Sequence, residues 1–364
     1  MLNVVCCLCR EYGSKRKEGG VEELTVMAGT SPTTIALSSS PHRLVITMLT
    51  RCSVPNATLW RQWARKQKIS FVLNAKHMGG VDGLPPRVAK RLGTLSNEDR
   101  VVDTAWGSHT LCIAHQAMLR VGLKRHPDAA WFMLVSGDSI PIISAKQLMS
   151  ELHALGPHHS LLGQFACGPH VVDWLWHHRT LRGDSMPDNW WVRHLDAGVL
   201  TSHTVRGHQQ MVLFCRTHAT VFADMPVRIL QDYDELLDVD IKKNKTPRLS
   251  AEEVVPFTYL ATQGCGDHIL DMDAMLSPFV GKHGRDFKGR IPIRIIKHAD
   301  EVDGKPVFFL RKISVPLSVK ERKRLRSVWR TRPSIFVSDA TSATTKQPSS
   351  PPCTRARKRQ RRNT

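Results

Sequence analysis

No stretch of this sequence approaches the ~20 consecutive apolar residues that a membrane-spanning helix requires. Even "HRLVITML" is short and is bounded by His42 and Arg51, so a soluble protein is expected. "MLNVVCCLC" at the N-terminus is apolar but lacks a basic start, a full-length apolar segment and a small-residue cleavage site, and is not read as a signal peptide. A second cysteine pair is also missing. The nine cysteines are scattered apart from Cys6, Cys7 and Cys9, and one CxxC spacing alone does not build a zinc site. Reduced, structural thiols are the expectation. Helix-turn-helix, zinc-finger and RNA-recognition signatures are absent as well. Acid is scarce, with 32 Asp+Glu against 52 Lys+Arg, and the formal charge of +20 requires an anionic partner of some kind.

The ends of the chain differ from its middle. Residues 1–41 carry Gly, Ser, Thr and charge without periodicity and are expected to be a disordered leader. Residues 338–364 are Ser/Thr/Pro-rich and then basic. Their run Arg355, Arg357, Lys358, Arg359, Arg361 and Arg362 suits a nuclear-localisation signal, a nucleic-acid contact or simply a solvated end. The folded domain is therefore expected over 42–337.

That middle alternates strand-like and helix-like segments. "RLVITML" (43–49) and "ISFVLNA" (69–75) read as buried strands, separated by a helix that begins after Pro55 with Asn56 as its N-cap. "SHTLCIAHQAMLRVGLKRH" (108–126) has one apolar helical face, and "AWFMLVSGDSIPI" reads as a buried strand, Trp131 to Val135, ending in a Gly/Asp turn. A further helix starts near Ser144. This order predicts an α/β fold with a mostly parallel central sheet covered by helices. Ligands of such sheets bind beyond the carboxyl ends of the strands, so the loops after Leu49, Leu73 and Val135 are the candidate site, with Asp138 in the last of them.

Six segments, in order, carry a resemblance: "VITMLTRCSVPNATLWRQW", "ISFVLNAKH", "AWGSHTLCIAHQAMLRVGL" with "WFMLVSGDSIPI", "RGHQQMVLFCRTHA", "AEEVVPFTYLA" and "FFLRKIS". Together they resemble the core-2/I-branching β-1,6-N-acetylglucosaminyltransferases and their plant-type relatives over about 42–315. The resemblance implies a GT-A-like, Rossmann-like fold and inverting, metal-independent transfer from a UDP-sugar to a glycan or glycoside hydroxyl. N-acetylglucosamine is the first donor sugar it suggests, with xylose or another sugar as alternatives. It implies no cofactor beyond the UDP-sugar.

Such a transfer needs a base for the acceptor hydroxyl and positive charge for the departing nucleoside diphosphate. Glu253, five residues before Thr258, matches the family's catalytic glutamate, and Glu252 takes the place of its aspartate. From the residues alone, the two acids would simply open a helix at the positive end of its dipole. Arg311 and Lys312 match the family's diphosphate-binding cations, a planar fork beside a movable point charge. Thr47, Asn74 and Asp138 are assigned to the donor nucleotide, and Glu252, His208 and Gln209 to the acceptor or sugar. No metal ligands are assigned. The D-x-D pairs Asp232/Asp234, Asp238/Asp240 and Asp271/Asp273 have metal-site spacing but follow no suitable strand, and "QDYDELLDVD" reads as an acidic connecting segment. The histidine pairs His158/His159 and His177/His178 lack companion ligands and read as surface residues.

Two positions depart from the family pattern. Gln210 stands where a tryptophan is usual, and Asn74 where His or Asp is usual. Relatives are typically Golgi membrane proteins with an N-terminal span. Without one, the expectation is a soluble, cytoplasmic enzyme or a truncated or mis-started sequence, with a nuclear location open through the basic tail. The competing readings are a nucleic-acid-binding protein acting through that tail and a catalytically silent, sugar-binding member of the same fold.

Overall fold

The β-branched run Arg43–Thr50 forms β1, and Ile69–Ala75 forms β2 in parallel beside it, Leu44 opposite Ile69 and Thr50 opposite Ala75. Ala129–Ser136, β3, lies parallel on the other side of β1. Near-continuous apolar strands of this kind are those buried on both faces. Helix α1 (Ala57–Ala64) connects β1 to β2, and α2 (Thr110–Arg125) leads into β3. These elements belong to a computed structural model that describes residues 42–51, 53–76, 92–96, 98–101, 103–105, 108–165, 172, 173, 175, 176, 179, 180, 189–241, 250–272, 275, 276, 279, 280, 283, 284, 287–292 and 307–332. The leader, the tail with its basic run, Cys6, Cys7, Cys9, His177 and His178 lie outside the described residues.

After β3 come β4 (Ile140–Pro141), α3 (Ala145–Leu155), β5 (Ser160–Leu161), β6 (Gln164–Phe165), α4 (Trp190–Asp196), β7 (Gly207–His208) and β8 (Leu213–Cys215). Helices α5 (Arg216–Ala223), α6 (Val227–Ile241) and α7 (Ala251–Thr262) follow. The described chain then has strands β9 (Ile269–Leu270), β10 (Met275–Leu276), β11 (Phe279–Val280), β12 (His283–Gly284) and β13 (Phe309–Leu310), and helix α8 (Val319–Thr331). The central sheet has the order β2-β1-β3-β8-β5-β9. It is an α/β architecture as expected, with one reversal, because β8 runs antiparallel to both β3 and β5.

Several local expectations change on contact with the fold. Ser144 does cap α3, its hydroxyl accepting from the Gln147 N–H at 3.1 Å. Asn56 precedes α1 but makes no cap bond. Its Oδ1 accepts from the Leu317 N–H at 2.9 Å instead, so it ties α1 to a segment far along the chain. "QDYDELLDVD" is helical, inside α6, and is not a connecting segment. Its buried face explains why: Leu230, Tyr233 and Leu236 recur at helical spacing and join the core.

A second, three-stranded sheet decides where the site lies. β13 pairs antiparallel with β4 and parallel with β10. Around β13 the ladder continues, with Ile142 donating to the Phe308 carbonyl at 2.9 Å and Ile313 donating to the Asp138 carbonyl at 2.8 Å. The Phe309 ring stacks on Trp60 with centroids 5.6 Å apart, and Trp60 and Trp63 donate to the carbonyls of Ser139 and Ile143. Fully burying a phenylalanine contributes about 1.5–3 kcal/mol. "FFLRKIS" is thereby fixed against the loop that follows β3.

Candidate active site

The carboxyl ends of β1, β2 and β3 open into a cleft of about 370 Å³. All three loops singled out in the sequence contribute to it, through Thr50 and Arg51, through Asn74 and Lys76, and through Ser136. The loops after β1 and β3 touch: Gly137 donates to the Leu49 carbonyl at 2.7 Å, and a Cβ at Gly137 would lie 2.6 Å from Thr50 Oγ1. Gln210, Met211 and Arg311 form part of the remaining wall. Among the described residues its lining carries three cations, Arg51, Lys76 and Arg311, and no carboxylate.

Arg311 enters this cleft directly from β13. Its Nη1 donates to Gln210 Oε1 at 3.1 Å, while its Nε–H is buried with no partner among the described residues. Lys312 follows in the left-handed region, at φ 68°, a conformation that costs a residue with a Cβ roughly 1–2 kcal/mol. Its carbonyl accepts from Phe287 at 3.0 Å. The two adjacent cations are thus separated by the turn, and Lys312 is not among the residues lining the cleft.

The acidic pair also divides. Glu252 and Glu253 do open a helix, in the first turn of α7 after Ser250, and consecutive helical residues point about 100° apart. Glu252 is buried and lines a second, small cavity of about 10 Å³ together with Cys112, His115, His208 and Gln210. Glu253 is half-buried. Burial raises its pKa above the usual carboxylate value, against hydrogen bonding at Ser250 and the pull of the nearby Arg311 guanidinium. Glu253 lines neither cavity, and of the groups that act on its pKa Arg311 contributes least.

The remaining assignments fare differently. Thr47 does not reach the cleft: it is fully buried in β1, where its hydroxyl donates to the Met133 carbonyl at 3.1 Å. A β1 side chain facing the interior cannot meet a nucleotide here, so the assignment is corrected to a core role. Asn74 does line the cleft, but its amide bonds twice to Val101, donating to the carbonyl and accepting from the N–H, each at 3.0 Å. It shapes the cleft by holding the neighbouring loop. Asp138 accepts from the Ser136 hydroxyl, and its backbone anchors Ile313, so it supports the arginine segment from outside the lining.

His208 is fully buried, not exposed toward an acceptor. Its Nδ1–H donates to the Gln209 carbonyl at 2.8 Å, and burial lowers its pKa to about 4. His115 beside it is lowered to about 3, by burial first and by His208 second. His218, outside the pairs, is buried too, whereas of the described pair His158 is exposed as expected and His159 is half-buried. Gln209 is half-buried and donates its backbone N–H to the Gly163 carbonyl at 2.8 Å. Asp232 and Asp234 are engaged by protein partners. Asp232 pairs with Arg228 at 2.6 Å, and Asp234 meets the His109 backbone N–H at 2.9 Å and the His109 ring at 2.6 Å. The side chains of Asp238, Asp240 and Asp273 lie outside the described residues.

Sequence reasoning missed Gln210 as a partner of Arg311, and missed Lys76 and Ser136 as cleft residues. The only signal for Gln210 was its departure from the usual tryptophan. Among the described residues no helix is long and apolar enough to cross a membrane, and no group of three or more His, Cys, Asp and Glu side chains is placed to hold a metal ion.

A search of curated proteins finds no match. The family model described as Core-2/I-Branching enzyme matches residues 49–276, well over half of the chain. The match includes Asn74, Asp138, His208, Gln209, Glu252 and Glu253 and stops before Arg311 and Lys312. With strands, cleft and acidic pair in the order that the sequence segments required, the chain belongs to the Core-2/I-branching enzyme family and is a glycosyltransferase.

Proposed function

We propose that this enzyme transfers a sugar from a UDP-sugar to a hydroxyl of a glycan or glycoside, with inversion at the anomeric carbon and without a metal ion. N-acetylglucosamine is the first donor sugar to test, and xylose or another sugar the alternative. The acceptor oxygen attacks the anomeric carbon as the bond to the diphosphate breaks, the acceptor proton passes to Glu253, and UDP departs. A single displacement inverts the configuration. A base is most effective when its pKa lies toward the working pH, and burial moves Glu253 in that direction.

The observation that carries this reading is Arg311, held at the carboxyl ends of the strands by Gln210 in a cleft whose described lining holds three cations and no acid. Charge developing on the leaving diphosphate needs donors already in place, and a guanidinium supplies them as a planar fork. Lys312 would contribute as a second positive charge close to the cleft. A panel of UDP-sugars with candidate glycan acceptors, run with and without EDTA, tests the proposal. Transfer that persists in EDTA and gives an inverted linkage by proton NMR supports it; transfer abolished by EDTA, or a retained linkage, refutes it.

A further inference from the structure

Gln210 departs from the family pattern, lines both cavities and holds the Arg311 guanidinium of the cleft wall. Its backbone has little freedom. On one side Gln209 donates to Gly163, and on the other the buried Val212 carbonyl accepts from Leu134 at 2.9 Å. The side chain reaches Arg311 from this fixed base.

We infer that Gln210 is a positioning residue for donor binding: its neutral amide oxygen aims Arg311 at the diphosphate without cancelling the charge the diphosphate requires. This rests on the proposed UDP-sugar reaction. A guanidinium has two faces suited to an oxyanion, one formed by its two terminal nitrogens and one formed by Nε with a terminal nitrogen. Gln210 takes Nη1, which leaves the Nε side for the ligand. The buried Nε–H there, without a partner among the described residues, is the kind of group whose desolvation is costly until an acceptor arrives. A carboxylate at position 210 would hold the same geometry more strongly and neutralise the arginine. A tryptophan would offer no acceptor, because its indole nitrogen only donates. Of the three side chains, the amide alone combines an acceptor with zero charge.

Among the described residues the other charged or titratable groups near this pair are Arg51 and Lys76 on the cleft wall, Lys312 next to Arg311, Glu253 on α7, and Glu252, Cys112, His115 and His208 around the small cavity. None of these is substituted in the test, and each pH is read relative to wild type, in which Glu253 titrates as well; the test compares the full-length enzyme with Gln210→Glu and Gln210→Met, using UDP in EDTA as the probe and calorimetry as the readout. Gln210→Glu is expected to keep or raise the melting temperature and to weaken UDP binding about tenfold or more near neutral pH, the scale of a lost charge-assisted contact. Lowering the pH toward the carboxylate range is expected to return much of the Gln210→Glu loss relative to wild type. Gln210→Met, uncharged and of similar length, is expected to weaken binding about three- to tenfold at every pH. Wild-type UDP affinity in Gln210→Glu, or a loss in it that does not respond to pH, overturns the inference. If UDP binds wild type and Arg311→Ala weakens it while both Gln210 variants bind normally, only this inference fails. If UDP does not bind wild type, the proposed reaction fails with it.

Discussion

Both ends of the central sheet carry clustered cations, and the two clusters differ in what faces them. At the amino end of β1, Arg43 Nε lies 3.0 Å from both oxygens of Asp128, and its Nη1 reaches Ser70 at 2.9 Å. Arg61, Arg65 and Arg125 line a hollow of about 480 Å³ there. Arg61 lies in the last turn of α1 and Arg125 in the last turn of α2, where the helix dipole favours positive charge. At the carboxyl end, Arg51, Lys76 and Arg311 share a wall that, like the hollow, has no carboxylate among its described residues, and Arg311 meets the Gln210 amide. In a chain of net charge +20, positive charge by itself does not mark a site. What distinguishes the carboxyl end is a guanidinium held by a neutral amide side chain beyond the ends of the parallel strands, where ligands of such sheets bind.

Glu253→Gln is the largest expected break in that contrast. It is expected to lower turnover by about 10²–10⁴-fold, the usual contribution of a general base, while UDP binding persists. The rate with wild type should also fall on acidification along a limb that lies above the ordinary carboxylate pKa, because the base must be ionised. The stability effect has the opposite sign. A carboxyl raised in the folded state stabilises fully below its unfolded pKa, and that contribution is lost as pH rises through the folded pKa. Above the limb, Glu253→Gln should therefore melt no lower than wild type, and higher if burial dominates. Activity and melting curves against pH check both.

Asn74→Ala is the intermediate case. It removes two bonds from a residue that is 1% exposed, and a loss of about 1–3 kcal/mol is expected by denaturant unfolding. Release of the Val101 loop should also weaken UDP binding severalfold. The smallest effect belongs to the other end of the sheet. Asp128→Ala breaks a half-exposed pair with Arg43 and is expected to change stability by about 0–1 kcal/mol and UDP affinity not at all. A clear loss of UDP binding there would erase the distinction between the two ends.

Much of the carboxyl end was legible because it is built from local signals. β1, β2 and β3 are continuous apolar runs, α2 has a helical apolar face, and three strand ends in one sheet locate the cleft. The acidic pair of α7 was legible as a helix opening, and the chemistry that family likeness assigns to it is what the variants above test. What could not be read depended on partners distant in sequence. Thr47 looks like any strand threonine until Met133 is found beside it, and Asn56 looks like a cap until Leu317 claims its side chain. The reversal of β8 is invisible in a three-residue strand. The pattern of α6 was present in Leu230, Tyr233 and Leu236, but its four aspartates and one glutamate among fifteen residues suggested a solvated linker. Arg311 and Gln210 are 101 positions apart, and no local rule joins them.

The central claim is that charge at the carboxyl end is kept available for a diphosphate. Calorimetry of UDP binding in EDTA, with wild type and Arg311→Ala side by side, tests it most directly. The account predicts binding to wild type without metal and a weakening of about 10- to 100-fold in Arg311→Ala, the scale of charge-assisted hydrogen bonds to an oxyanion. Binding that requires an added divalent ion, or equal affinity in the two proteins, would contradict it.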